Sequence, residues 1–179
     1  MKAASILGGY RPATATEAAD VARIQAITGD PWARDTPLHV TGSALVVHPP
    51  TRRVLLRWHE RQGAWLQVGG HADPGETDPM AVALREAVEE TGLADLEPWP
   101  DAGLRHVVIV KVTPSAEKGE PAHEHADLRY FFATAVPAEI LPETPAAELR
   151  WVTLDEARQL NGSGNMSALF DRLATLFGP

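Results

Sequence analysis

The sequence predicts a single α/β domain, and two observations carry that reading. Runs rich in β-branched and aromatic residues alternate with runs of helical period, and 179 residues with 44% hydrophobic and 22% charged content suit one globular core. Sixteen Lys and Arg against 24 Asp and Glu leave a formal charge of −8. That balance argues against a nucleic-acid duplex or an anionic membrane as the main partner. With no cysteine there is no disulfide framework, no thiolate nucleophile and no cysteine-ligated zinc site.

Taken in order, the opening MKAASILGGY lacks the apolar core and small-residue cleavage site of a signal peptide, and no run approaches membrane-spanning length. A cytoplasmic protein is the default expectation. Residues 1–37 read as an N-terminal helix and connector ahead of a core over 38–179. The helix is expected from Thr16, as N-cap, to Thr28, with Gly29 as its stop. Ala18, Val21, Ile24 and Ile27 form an apolar stripe that would pack on a sheet or a second subunit, so a homodimer is one expectation. In the Pro-bounded connector 30–37, Trp32 and Arg34 could reach a base or ribose, although packing is the commoner use of such a tryptophan.

Residues 38–48 read as a strand ended by Pro49-Pro50, Arg53 to Trp58 as a second, and Ala64 to Val68 as a third that delivers the chain to Gly69-Gly70. The polar WHERQG between the last two carries His59 and Arg61, candidates for a cleft mouth but more simply solvated loop residues. A punctuated helix follows. Asp78 can cap it, Pro79 suits its first turn, and Gly92 can close it with positive φ. At about 100° per residue, Met80, Leu84, Ala87, Val88 and Thr91 fall on one arc and Glu86, Glu89 and Glu90 on the opposite one.

Like charges three and four residues apart repel, so the acidic arc makes sense if a cation sits among them. Carboxylates without Cys or His are hard ligands, which favours Mg²⁺ or Mn²⁺, and Mg²⁺ commonly takes substrate phosphates as remaining ligands. Acidic helix faces are more often plain solvated surface, and the glycine loop ahead of this one changes the weighing. The stretch from Val68 to Leu93, VGGHADPGETDPMAVALREAVEETGL, resembles the Nudix box G-x5-E-x7-R-E-U-x-E-E-x-G-U, where U is bulky and apolar. Gly70, Glu76, Arg85, Glu86, Glu89, Glu90, Gly92 and Leu93 match in order. Eight residues separate Glu76 from Arg85 where the pattern has seven, and Ala87 stands at the first U. Since Asp78-Pro79 marks the helix start, the extra residue is expected in the loop.

The resemblance implies an α/β/α sandwich with a mixed sheet between helices. It also implies Mg²⁺, or Mn²⁺, held by Glu86, Glu89, Glu90 and the Gly70 carbonyl, with Arg85 and Glu76 holding the carboxylates. Glu86 or Glu89 would take the proton of the attacking water, or a carboxylate recruited after the box; of Glu117, Glu120 and Glu124, Glu124 is preferred because it adjoins a strand.

Beyond the box, Pro98-Trp99-Pro100 reads as a structural turn and 103–113 as a strand. A loop over 114–126 leads into HEHADLRYFF, where Leu128, Tyr130 and Phe132 would face a core and His123, His125, Asp127 and Arg129 the other side. His-x-His-x-Asp on one strand face could bind a transition metal, although substrate contact or a hydrogen-bonded strand start is the simpler reading. A short strand over 148–152, a segment over 154–160 and a helix over 165–177 close the chain. The function implied is a divalent-metal-dependent hydrolase of a nucleoside diphosphate linked to another moiety, such as a nucleoside triphosphate, nucleotide sugar or ADP-ribose type. The alternative is a non-catalytic nucleotide-binding sensor, which would be expected to lose box carboxylates. An isoprenoid diphosphate isomerase of this family leans on a cysteine, which this chain lacks.

Overall fold

A computed structural model describes residues 3–115, 119–162 and 164–178. The elements in order are α1 (Ala3–Ile6), α2 (Ala15–Gln25), β1 (Leu38–His48), β2 (Arg53–His59), β3 (Ala64–Leu66), β4 (Val68–His71), α3 (Pro79–Thr91), β5 (Glu97–Pro98), β6 (His106–Val112), β7 (His123–Ala133), β8 (Leu149–Thr153), α4 (Leu154–Asn161) and α5 (Gly164–Phe177). All eight strands join one sheet. Its spine is β1 beside β7, paired in parallel from Leu38↔Glu124 to Val47↔Ala133. The neighbours β2, β4, β5, β6 and β8 are antiparallel, so the sheet is mixed, as expected.

Strand alternation sorts the two faces. Val40, Ala44 and Val46 of β1, with Leu128, Tyr130 and Phe132 of β7, pack under α2 and α3. Leu45 and Val47, with Phe131, pack under α4 and α5 through Met166, Leu169, Phe170 and Leu173. Helices on both faces make the three-layer sandwich.

Helix α3 forms where its caps direct it. Asp78 accepts the Met80 N–H at 2.9 Å, and Gly92 ends the helix at φ 72°. Its packing face is rotated from the expected arc, with Val82, Ala83, Ala87 and Thr91 buried. Gly42 of β1 explains the rotation: a Cβ there would lie 2.6 Å from the Pro79 carbonyl and 2.9 Å from Ala83 N. Small residues let helix and strand backbones touch.

Helix α2 begins two residues earlier than expected. Thr14, not Thr16, caps it by accepting the Glu17 N–H at 3.1 Å, and the helix ends at Gln25. Glu17 turns inward and accepts from Tyr10 Oη, Ala13 N at 2.6 Å, Val107 N at 3.2 Å and Arg172 at 2.7 Å, which ties the N-terminal extension to β6 and α5. Val21, Ile24 and Trp32 are buried in the chain's own core. Two residues of the apolar stripe, Val21 and Ile24, are thus used inside the chain, while Ala18 stays exposed. The strand expected over 64–68 divides into β3 and β4, which carries Gly69-Gly70 within the sheet rather than in a loop. Among the described residues no helix is long and apolar enough to cross a membrane.

Candidate active site

The box folds around β4. Gly70 pairs with Gly42, which turns both toward α3, and a Cβ on Gly70 would lie 2.5 Å from the Glu86 carboxylate. Only glycine lets that carboxylate rest on the strand. One helical turn on, Glu90 accepts the Gly69 N–H at 3.0 Å and lies 3.4 Å from Arg57. Glu89 is the exposed member of the three.

Arg85 organises this cluster with a single guanidinium. It donates to Glu86 at 3.1 Å, Glu89 at 3.0 Å, Glu76 at 3.0 Å and the His71 carbonyl at 2.8 Å. The extra residue before the helix is absorbed by the loop, since Glu76 still reaches Arg85 and also accepts the Asp73 N–H at 2.7 Å. The Arg85 hydrogen bond and that N–H hold the Glu76 carboxyl below the ordinary carboxylate range. Burial acts the opposite way on the helix: it raises Glu86, and it pushes Glu90 up to about 7 despite Arg57 and the Gly69 N–H.

Two half-buried carboxylates raised in this way, a third beside them and a strand with no side chain in between suit a hard divalent cation. The donor set fits. Glu86, Glu89 and Glu90 with Gly70 are the groups that could hold it.

On the opposite face of β4, β1 and β7 opens a cleft of about 1050 Å³. Gly69 and Gly70 border it as well, so it adjoins the box. Its floor is a buried polar network centred on Asp127, which accepts from Ser43 at 2.7 Å, Arg129 at 2.7 Å, Thr41 at 3.3 Å and Gln67 at 3.3 Å. Arg129 reaches on to Asn165 at 2.8 Å. His59, Arg34 and Arg61 line the cleft; Arg61 ties its rim together through Glu120 at 2.7 Å and the Thr113 carbonyl at 2.7 Å.

His123 and His125 face this cleft, as alternation along β7 implies, and are joined there by His39 of β1 and His71 of β4. Asp127 belongs to the floor network rather than to the histidines. Burial lowers His39, His71 and His125, the last two to about 4 and about 3. All three are therefore neutral at physiological pH.

Glu124, the loop carboxylate expected to serve the site, does not line the cleft. Glu124 lies on the even-numbered face of β7 with Ala126 and Leu128 and is paired to Arg23 of α2 at 2.5 Å. The alternation that sends His123 and His125 into the cleft sends Glu124 away from it. Glu120 borders the cleft, and Glu117 lies outside the described residues. Sequence reasoning missed His39, His71 and Ser43. His39 and Ser43 share the odd-numbered parity of β1, and His71 directly follows Gly70.

A mixed sheet between helices, with a carboxylate-bearing helix laid over a diglycine strand, defines a Nudix-type domain. A model of the NUDIX domain matches residues 37–173, and the chain belongs to that family. It is 33% identical over 129 residues, 67% of this chain and 54% of the relative, to the CMP-5'-(N-acetyl-N-hydroxy-3-aminopropyl)phosphonate hydrolase of Streptomyces rubellomurinus. The chain thus spans about half the length of that curated relative. Among solved structures it is similar to a NUDIX-family hydrolase from Clostridium perfringens, with TM-score 0.57 and 21% identity over 77% of this chain and 97% of that one. The Nudix hydrolase RenU from M. smegmatis superposes with TM-score 0.53 and 26% identity over 77% of this chain and 84% of that one.

Proposed function

We propose that this protein is a divalent-metal-dependent pyrophosphohydrolase that cleaves the anhydride bond of a nucleoside diphosphate linked to another moiety. The observation that carries the reading is the gathering of Glu86 and Glu89 on one guanidinium, Arg85, with Glu90 one helical turn on held by the Gly69 N–H, beside the Gly69-Gly70 wall of the cleft. A cation there, Mg²⁺ in this proposal, supplies charge neutralisation of phosphoryl oxygens and a water of lowered pKa. Arg85, itself held by Glu76 and the His71 carbonyl, keeps the carboxylates oriented. With Glu124 held in an ion pair by Arg23, the proton of the attacking water goes to Glu86 or Glu89. Arg34 and Arg61 line the cleft with guanidinium groups that suit phosphate oxygens, among the carboxylates of Asp35, Glu120 and Asp127.

The relative from Streptomyces rubellomurinus bears a name that joins CMP to a phosphonate, which favours including cytidine compounds among the substrates tried. The test is turnover with Mg²⁺ on nucleoside triphosphates, nucleotide sugars, ADP-ribose, NADH, dinucleoside polyphosphates and CMP conjugates. Cleavage of one group to a nucleoside monophosphate and a phosphorylated remainder is the expected result. Tight binding of a nucleotide with no turnover of any member would overturn the hydrolase reading in favour of a sensor.

A further inference from the structure

Four imidazoles meet in the cleft, across three adjacent strands, on the side of the sheet away from α3. The contacts run in a chain: His39 Nε2 to His71 Nε2 at 3.1 Å, His71 Nε2 to His125 Nε2 at 3.2 Å, and His125 Nε2 to His123 Nε2 at 3.0 Å. The ligand nitrogens of His39, His71 and His125 all lie within 4.8 Å of one another. The backbone fixes this arrangement. His39 and His125 are register partners in the parallel β1–β7 ladder, and His71 enters from the other side of β1 opposite Thr41.

Proton bookkeeping shows that hydrogen bonding alone does not account for the cluster. His39 Nδ1 faces the Thr36 carbonyl at 3.0 Å and His123 Nδ1 faces the Pro121 carbonyl at 2.9 Å. A carbonyl only accepts, so both Nδ1 atoms carry the proton and both Nε2 atoms present a lone pair. His71 would then have to donate to His39, and His125 to His123. That leaves two N–H groups opposed across the 3.2 Å contact between His71 and His125. No set of neutral tautomers satisfies all three contacts. Lone pairs directed at a common cation satisfy them together, and the carbonyl-held Nδ1–H is the usual way a metal-ligating histidine is oriented.

The spacing agrees. Nitrogens about 2.0–2.1 Å from a tetrahedral Zn²⁺ lie about 3.3–3.4 Å apart, and the three contacts fall at 3.0–3.2 Å before any ion draws the rings into place. We propose that His39, His71 and His125, with His123 as a fourth ligand, form a binding site for a zinc-class divalent transition ion, separate from the carboxylate site of the box. Imidazole is a borderline ligand that suits Zn²⁺, Co²⁺ or Ni²⁺, whereas Mg²⁺ belongs with the oxygens of Glu86, Glu89 and Glu90. The ion sits at the wall of the cleft, its four positions filled by the histidines. The site does not rest on the hydrolase reading, because nothing in it depends on turnover.

The test is metal binding to the full-length protein. After chelator treatment, Zn²⁺ is titrated in competition with a chromophoric chelator, and Co²⁺ is followed by the intense visible absorption of four-coordinate cobalt. One equivalent of Zn²⁺ per chain is expected, with a tetrahedral cobalt spectrum and X-ray absorption showing a nitrogen shell of imidazoles. His71→Ala and His125→Ala should each weaken Zn²⁺ binding by about 100-fold or more, whereas the double variant Glu86→Gln/Glu90→Gln should keep it. Loss of zinc in the glutamate variant with retention in the histidine variants would transfer the ion to the box and overturn the proposal. Should the histidine variants fail to fold, the wild-type spectra decide: an oxygen-only shell, or no bound zinc, would equally overturn it.

Discussion

Gly70 works by what it lacks. A methyl group there would press into the Glu86 carboxylate at 2.5 Å, against a side chain already held by Arg85. Gly70→Ala is therefore expected to displace Glu86 and weaken Mg²⁺ activation by about tenfold or more, the scale on which altered orientation of metal ligands is felt. The Mg²⁺ concentration for half-maximal activity checks it, and an unchanged value would show that Glu86 has room to move without consequence. His106 illustrates a different residue-level effect. Burial, helped by the charges of Arg129 and Arg172, pushes its pKa down to about 4. The unfolded chain takes up that proton near the ordinary value of about 6.5, so stability is complete above that pH and falls as the pH drops toward 4. Its share is on the order of 3 kcal/mol. Denaturant melts of wild type and His106→Gln at several pH values should show a shallower acid-side loss in the variant; parallel curves would assign the loss to other groups.

At the scale of elements, α3 depends on its caps and on contact with β1. Asp78→Ala removes the hydrogen bond to Met80 N and should destabilise the protein by about 1 kcal/mol, measured as a shift in denaturant midpoint with unchanged slope. Gly42→Ala should cost more, because the new methyl would meet backbone rather than a flexible side chain. A thermal melt no lower than that of Asp78→Ala would contradict the close approach. Helix α3 was legible in sequence because both ends carry residues with one structural meaning, Asp78-Pro79 and Gly92. The start of α2 was not. Two threonines, Thr14 and Thr16, compete for the cap, and the choice is made by Glu17, whose burial against Val107 and Arg172 is a tertiary fact. Likewise the placement of Gly69-Gly70 in a strand comes from pairing with Ser43 and Gly42, which local propensity does not contain.

For the whole molecule, alternation in β1 and β7 decides what each face of the sheet is for. Even-numbered residues build the core under α2 and α3, and odd-numbered residues supply the cleft near its mouth and a second core farther along. The carboxylate face of the box could be read in sequence because it follows from a contiguous motif, and the mixed sheet was implied by the resemblance that motif carries. The four-histidine cluster could be read only by half. His123 and His125 stand two apart on one strand, whereas His39 and His71 join them through the register of β1 with its two neighbours. Parity along β7 also contained the information that removes Glu124 from the cleft.

The central claim is that the box carboxylates, and not the loop after them, carry metal-dependent hydrolysis. Its most direct test is kcat at saturating Mg²⁺ on the substrate found in the panel, for wild type, Glu86→Gln and Glu124→Gln, with circular dichroism to show that all three fold. The account predicts a loss of about 10²–10⁴-fold for Glu86→Gln and near wild-type turnover for Glu124→Gln, whose partner is the surface Arg23. Comparable losses in both, or a large loss in Glu124→Gln alone, would contradict it.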